Sequence, residues 1–165
     1  MTVADILQNH VIPFEVDDDK LKKLFSFFLH SAPTIESASA AIIPANRLVD
    51  NWDTYISAFS PENHAVIASN CTFNNYLVKY KLDNNAAVNR KTKGFVCKRK
   101  DNSETEYECL LRHLRNSIAH SNVYMVNAGN RKFLLFEDFN QSKKQNARVL
   151  LSQTDLQKLK AEIMK

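Results

Sequence analysis

Apolar residues recur every three to four positions along much of this chain, and that spacing predicts helices. Leu21, Leu24, Phe25 and Phe28 share one side of a helix over Lys20 to Leu29. Asp17, Asp18 and Asp19 stand before it, where the positive end of a helix favours acids. Pro33 suits the first turn of a second helix, running through an alanine-rich stretch to near Pro44. A third, about Asn46 to Phe59, carries the only tryptophan, Trp52. Ser60-Pro61-Glu62 reads as another helix start: a hydroxyl cap, a proline in the first turn, then an acid. Val66, Phe73, Leu77 and Tyr80 would be the apolar stripe of that helix, which is expected to reach about Asp83. Asn84 to Ser103 reads as a long connection interrupted by Gly94, and helical spacing resumes from Glu104 to about His120.

Beyond His120 the period changes from helical to alternating. Val123 to Val126, a turn over Asn127-Ala128-Gly129-Asn130, and Arg131 to Phe139 read as strand, turn, strand. Phe133, Leu135 and Phe139 alternate as strand residues that cover a core do. Ala147 to Leu151 suggests a third short strand, and Ser152 or Thr154 caps a last helix ending near Met164. The expected fold is therefore mainly α, a helical bundle with a small C-terminal antiparallel β-hairpin, in a single domain of residues 1–165. Two glycines and four prolines in 165 residues agree with helices over an all-β design, which needs more tight turns.

Composition adds limits. The formal net charge of +4 permits a polyanionic partner without requiring one. Cys71, Cys97 and Cys109 are odd in number and form no C-x-x-C pair, so they read as reduced thiols of a cytoplasmic protein. The N-terminus lacks a basic segment followed by an apolar run, and no apolar stretch approaches the ~20 residues that span a bilayer, so no membrane association is expected. There is no G-x-G-x-x-G, Walker A or G-x-S-x-G signature, and no cofactor is expected.

The chemistry concentrates in Arg115-Asn116-Ser117-Ile118-Ala119-His120, an R-N-x-x-x-H pattern late on the Glu104–His120 helix. On a helical wheel at ~100° per residue, Tyr107, Leu111, Leu114 and Ile118 lie together with Leu110 at their edge. His113, Asn116 and His120 fall opposite, with Arg112 and Arg115 between, so the polar groups are expected to project away from the core. Histidine titrates near neutral pH and can take a proton from a 2′-hydroxyl or give one to a leaving oxygen. Arginine stays charged and matches the phosphate with its planar fork. Asn116 lies one turn before His120 and can orient the imidazole or bond a substrate. Cutting RNA with these groups needs no metal, and no set of acidic ligands for one is evident. Arg115 and His120 are five residues apart, pointing ~140° from each other, so two copies about a two-fold axis would bring them together better than one. The plain alternative for His120 is an ordinary surface histidine.

With Leu110 to Asn122 around it, the motif resembles the HEPN family, whose signature is an Arg, a polar residue, a few variable residues and a His. The resemblance covers Cys109 to Lys165 most closely, including the hairpin and the capped last helix. It implies an HEPN-like helical bundle, a homodimer with a composite cleft, and metal-independent endoribonuclease activity with cyclic-phosphate products. Arg115, Asn116 and His120 would be the catalytic residues. It further implies a toxin or phage-defence effector with an antitoxin protein as possible partner. Some such toxins are controlled by modification of a tyrosine two residues after the motif histidine. Here that position is Asn122, and the nearest tyrosine is Tyr124. Other HEPN domains only bind nucleic acid, nucleotides or a partner, although they often lack the Arg or the His.

A second basic feature is Arg90, Lys91, Lys93, Lys98, Arg99 and Lys100, six cations in eleven residues with no acid. Either it guides RNA toward the cleft or it is a solvated loop. Phe95 within it either stacks a base or anchors the loop in the core. Arg112 is either a phosphate ligand or an ion-pair partner, and His113 either a second proton carrier or a polar neighbour at the dimer seam. His10, His30 and His64 have no informative context.

Overall fold

Phe133-Leu134-Leu135-Phe136 is apolar without alternation, and each of these residues is at most 1% exposed. A strand reads this way when both of its faces are covered. In the computed structural model, which describes residues 1–32 and 45–165, this run is the centre of a six-stranded mixed sheet. The strands are β1 (His10–Val11), β2 (His64–Ile67), β3 (Gly94–Lys98), β4 (Val123–Ala128), β5 (Arg131–Phe139) and β6 (Gln145–Ser152). Their order across the sheet is β1-β4-β5-β6-β3-β2, with β2 parallel to β3 and the other neighbours antiparallel.

The helices are α1 (Val3–Leu7), α2 (Asp19–Ser26), α3 (Ala45–Ile56), α4 (Phe73–Lys79), α5 (Glu106–Ala119) and α6 (Gln153–Met164). One sheet face, with Phe95, Cys97, Leu134, Phe136, Val149 and Leu151, packs against residues of α2, α3, α5 and α6. The opposite face, with Val96, Phe133, Leu135 and Leu150, is covered by Val3 and Ile6 of α1 and by Phe73 and Leu77 of α4. Each fully buried leucine contributes about 2 kcal/mol.

The expectation of a mainly helical bundle with one small hairpin is thus overturned: among the described residues helix accounts for 41% and strand for 24%, and the sheet is the organising element. The Ser60-Pro61-Glu62 start does not propagate. Ser60 Oγ accepts from the Glu62 amide at 3.4 Å and the Ser60 carbonyl from the Asn63 amide at 3.1 Å, which closes a single turn. His64–Ile67 then enter the sheet as β2, and helix returns only at Phe73. The supposed connection Asn84–Ser103 contains β3. Gly94 opens that strand because a Cβ there would sit 2.2 Å from the Asn63 carbonyl oxygen. The expected helix from Pro33 to near Pro44 lies outside the described residues.

Other expectations match. Asp18 caps α2, accepting from the Leu21 amide at 3.0 Å, and the helix then widens into a π-turn closed by Ala32 N–H to Phe27 C=O at 2.9 Å. Gly129, with φ +63°, makes the two-residue hairpin turn between β4 and β5. Ser152 and Asp155 form a reciprocal capping box at the start of α6.

Candidate active site

The motif helix α5 begins where Thr105 accepts from the Glu108 amide, with Glu106 and Glu108 in the first turn. It ends in a Schellman arrangement. His120 is the C-cap, Ser121 follows with φ +57°, and the Asn122 amide returns to the Ser117 carbonyl at 2.8 Å. A left-handed serine is disfavoured by roughly 1 kcal/mol, so the turn is held by these bonds and by what packs on it.

The wheel's polar side does not all face water. His113 is 0% exposed, because α5 lies across the sheet and turns this residue toward β3 and β5. This corrects the expectation that His113 projects away from the core. Its Nδ1 is 2.8 Å from Asp138 Oδ2, and its Nε2 is 2.8 Å from the Lys98 carbonyl. The two closest partners are acceptors, so both ring nitrogens donate to them and the ring is an imidazolium, with Arg112 Nη2 a like-charged neighbour 3.2 Å from Nε2. Burial lowers its pKa, but the Asp138 hydrogen bond and then Cys109 outweigh it and bring the pKa to about 9. Arg112 stands beside it and gives Nε to Glu104 Oε2 at 2.7 Å, and Nη2 to Glu104 Oε1 at 2.9 Å and to the Lys98 carbonyl at 3.1 Å. Glu104 and Asp138 are themselves buried, so two cations and two anions form a compensated cluster under the helix. Cys109 adjoins it. A hydrogen bond from the Cys97 thiol lowers its pKa, burial opposes, and His113 assists, bringing it to about 6.

The motif proper begins one turn later. Asn116 donates Nδ2 to Asp138 Oδ2 at 3.3 Å, so one carboxylate oxygen receives both His113 and Asn116. Arg115 donates Nη1 to Asn116 Oδ1 at 3.2 Å. Arg115 Nε is buried and, among the described residues, has no hydrogen-bond partner. His120 is exposed at the end of α5, and no hydrogen bond to its imidazole is found among the described residues. Nothing joins Arg115 directly to His120. The chain Asp138–Asn116–Arg115 is therefore anchored in the core at one end and presents a guanidinium at the other.

The cationic run is split by β3, whose five residues span roughly 13 Å. Arg90 and Lys91 are exposed in the turn before it. Lys93 lies 3.8 Å from Asp155 and over the Phe59 ring at 5.0 Å. At the other end Arg99 gives Nε to the Glu104 carbonyl at 3.0 Å, the Lys100 amide bonds Glu104 Oε1 at 3.2 Å, and the Lys98 carbonyl serves His113 and Arg112. Phe95 is wholly buried against Trp52, Phe59 and His64, so it is the anchor and not a base-stacking platform.

Asp138 escaped the sequence reading because it lies 22 residues beyond Asn116 on another element. Its signal is the second of two acids that follow an apolar strand run, on the same sheet face as Leu134 and Phe136. His10 escaped as well. β1 pairs His10 with Tyr124 of β4, and the His10 ring reaches the carbonyl of Ser121, next to the motif histidine. Tyr124 itself is partly buried, and burial raises its pKa. Among the described residues no helix is long and apolar enough to cross a membrane.

Residues 11–165 match the model of one protein family, HEPN pEK499 p136. Neither a curated protein nor a solved structure matches the chain.

Proposed function

The chain belongs to the HEPN pEK499 p136 family, and on that footing we propose that it is a metal-independent endoribonuclease that works as a homodimer, in the setting of a toxin or phage-defence effector. The observation that supports this most is the anchored Arg115–Asn116 pair beside an unengaged, exposed His120 at the end of α5. Arg115 has donors left over for a scissile phosphate, and in-line attack by the 2′-hydroxyl places developing charge on the oxygens such a fork would hold. Asn116 keeps the guanidinium in place. His120 exchanges the proton. A two-fold axis through this end of the helix would let one protomer's arginine serve its partner's histidine.

The test is cleavage of total cellular RNA by the purified full-length protein in the presence of EDTA. It is read together with sedimentation and with the toxicity of expressing wild type, Arg115→Ala and His120→Ala. The expected result is a dimer that cuts RNA and arrests growth, with both variants strongly impaired in cleavage, harmless to growth and folded. Intact RNA with wild type and equal harmlessness of all three would overturn the nuclease. Cleavage lost on chelation and restored by a divalent ion would overturn its independence of metal.

A further inference from the structure

We propose that His10 is the second proton carrier of this site, acting as the general base opposite His120 within one protomer. This rests on the nuclease assignment and deepens it. Three observations set His10 beside the end of the motif helix. β1 sets it in register with Tyr124, four residues after the motif histidine. Its ring packs edge-on to the Tyr124 ring, with centroids 5.5 Å apart and an interplanar angle of 69°, which fixes its direction. Its Nε2 lies 2.5 Å from the carbonyl oxygen of Ser121, the residue that follows His120. Yet the side chain is exposed, not packed into the core.

The partner of Nε2 decides the tautomer. A carbonyl oxygen only accepts, so Nε2 carries the hydrogen and the neutral ring keeps its lone pair on Nδ1. Among the described residues no hydrogen bond occupies Nδ1, so it is an acceptor available to a substrate. His120 caps the C-terminal end of α5, exposed and with no hydrogen bond to its imidazole among the described residues, so its ring is open to the departing oxygen. In the step this allows, His10 Nδ1 takes the proton of the 2′-hydroxyl as that oxygen bonds to phosphorus. The P–O5′ bond breaks, and His120 supplies the proton that the departing 5′-oxygen needs. The products are a 2′,3′-cyclic phosphate and a 5′-hydroxyl, and each histidine ends in the other's starting protonation state.

A merely structural His10 would tie β1 to the end of α5 through Ser121 and do nothing else. His10→Gln separates the two roles, because an amide can still donate to the Ser121 carbonyl but cannot titrate. The probe is the fastest-cut species in total cellular RNA, followed by single-turnover rates from pH 5 to 9 with wild type, His10→Gln, His10→Ala and His120→Ala. Thermal melting of each protein serves as the control for folding. The expected result is that His10→Gln melts as wild type does, cuts at least 30-fold more slowly at saturating protein, and loses the acidic limb of a bell-shaped profile. His120→Ala should lose the alkaline limb. Wild-type rates and an unchanged profile for His10→Gln, with His10→Ala impaired only through a lower melting temperature, would make His10 a structural clip and overturn the proposal. Absence of cleavage by wild type would overturn the nuclease and the pairing together, whereas activity lost in His120→Ala but kept in His10→Gln would overturn the pairing alone.

Discussion

Two parts of one helix carry similar residues and treat them differently. Under the middle of α5, Glu104, Arg112, His113 and Asp138 are buried, and each charge faces an opposite charge or a backbone carbonyl. At its C-terminus Arg115, Asn116 and His120 are half-buried or exposed, and two of the three have polar atoms without a partner among the described residues. Charge that is fully matched inside a protein holds architecture together. Charge that is held at one end and free at the other is available for a ligand. Asp138 belongs to both regions, since its Oδ2 accepts from His113 and from Asn116.

The sharpest way to break the comparison is therefore Asp138→Ala. It leaves a buried imidazolium uncompensated, and stability should fall by about 3–5 kcal/mol, with the melting temperature lowered by roughly 10 °C. Calorimetry checks this, and a drop below about 2 °C would show that the cluster is not the architectural half. His120→Ala should do the reverse. Cleavage should slow by about 10²–10³-fold, equivalent to roughly 3–4 kcal/mol of barrier, with melting unchanged; initial rates and a melting curve decide it.

A pH series separates the two parts as well. The pKa of His113 is raised to about 9 in the folded protein, above the usual value of 6.5. Its stabilising effect is then fully present below about pH 6.5 and is lost as pH rises through 9, by an amount on the order of a few kcal/mol. Cys109, whose pKa is lowered to about 6, contributes in the opposite sense over the same window, so the His113 effect is read in a Cys109→Ser background. There the urea midpoints at pH 6, 8 and 10 should fall in that order, and adding His113→Gln should flatten the trend. Smallest of all is Lys100→Ala. Its side chain is exposed and only its amide bonds Glu104, so stability should change by less than about 0.5 kcal/mol. Filter binding of total RNA by this variant reports whether the cation contributes to RNA attraction.

The legible parts of this molecule were those whose signals are local. The acids Asp17 to Asp19 before α2, the spacing of Leu21, Leu24 and Phe25, the turn around Gly129 and a cap at Ser152 or Thr154 each lie within a few residues of what they determine. The same is true of the motif, whose residues sit on one helix. β2 and β3 were illegible because their pairing is parallel and joins segments about thirty residues apart, and because β2 is only four residues long and follows a convincing helix start. Gly94 looked like a break in a loop when its small size serves a close approach to Asn63. The direction of His113 was misjudged for a different reason. A wheel assumes that polar residues face solvent, and here a carboxylate and a carbonyl inside the fold took the place of water. His10 was out of reach of any local rule, being 111 residues from the carbonyl it touches.

The position of Asp138 also makes the pairing of β5 self-checking. Side chains along a strand alternate between faces, so sliding β5 by one residue against β4 and β6 would turn this carboxylate toward α1 and α4 and bring Glu137 or Phe139 beneath α5. Glu137, in turn, would abandon Arg148, which it holds at 2.7 Å on the other face. A misaligned hairpin would thus leave an unmatched ion in each of the two cores at once. Hydrophobic residues alone would not enforce this alignment, because Phe133 to Phe136 are nearly interchangeable in their greasiness, and the acid pair that follows them acts as the index mark for the whole sheet.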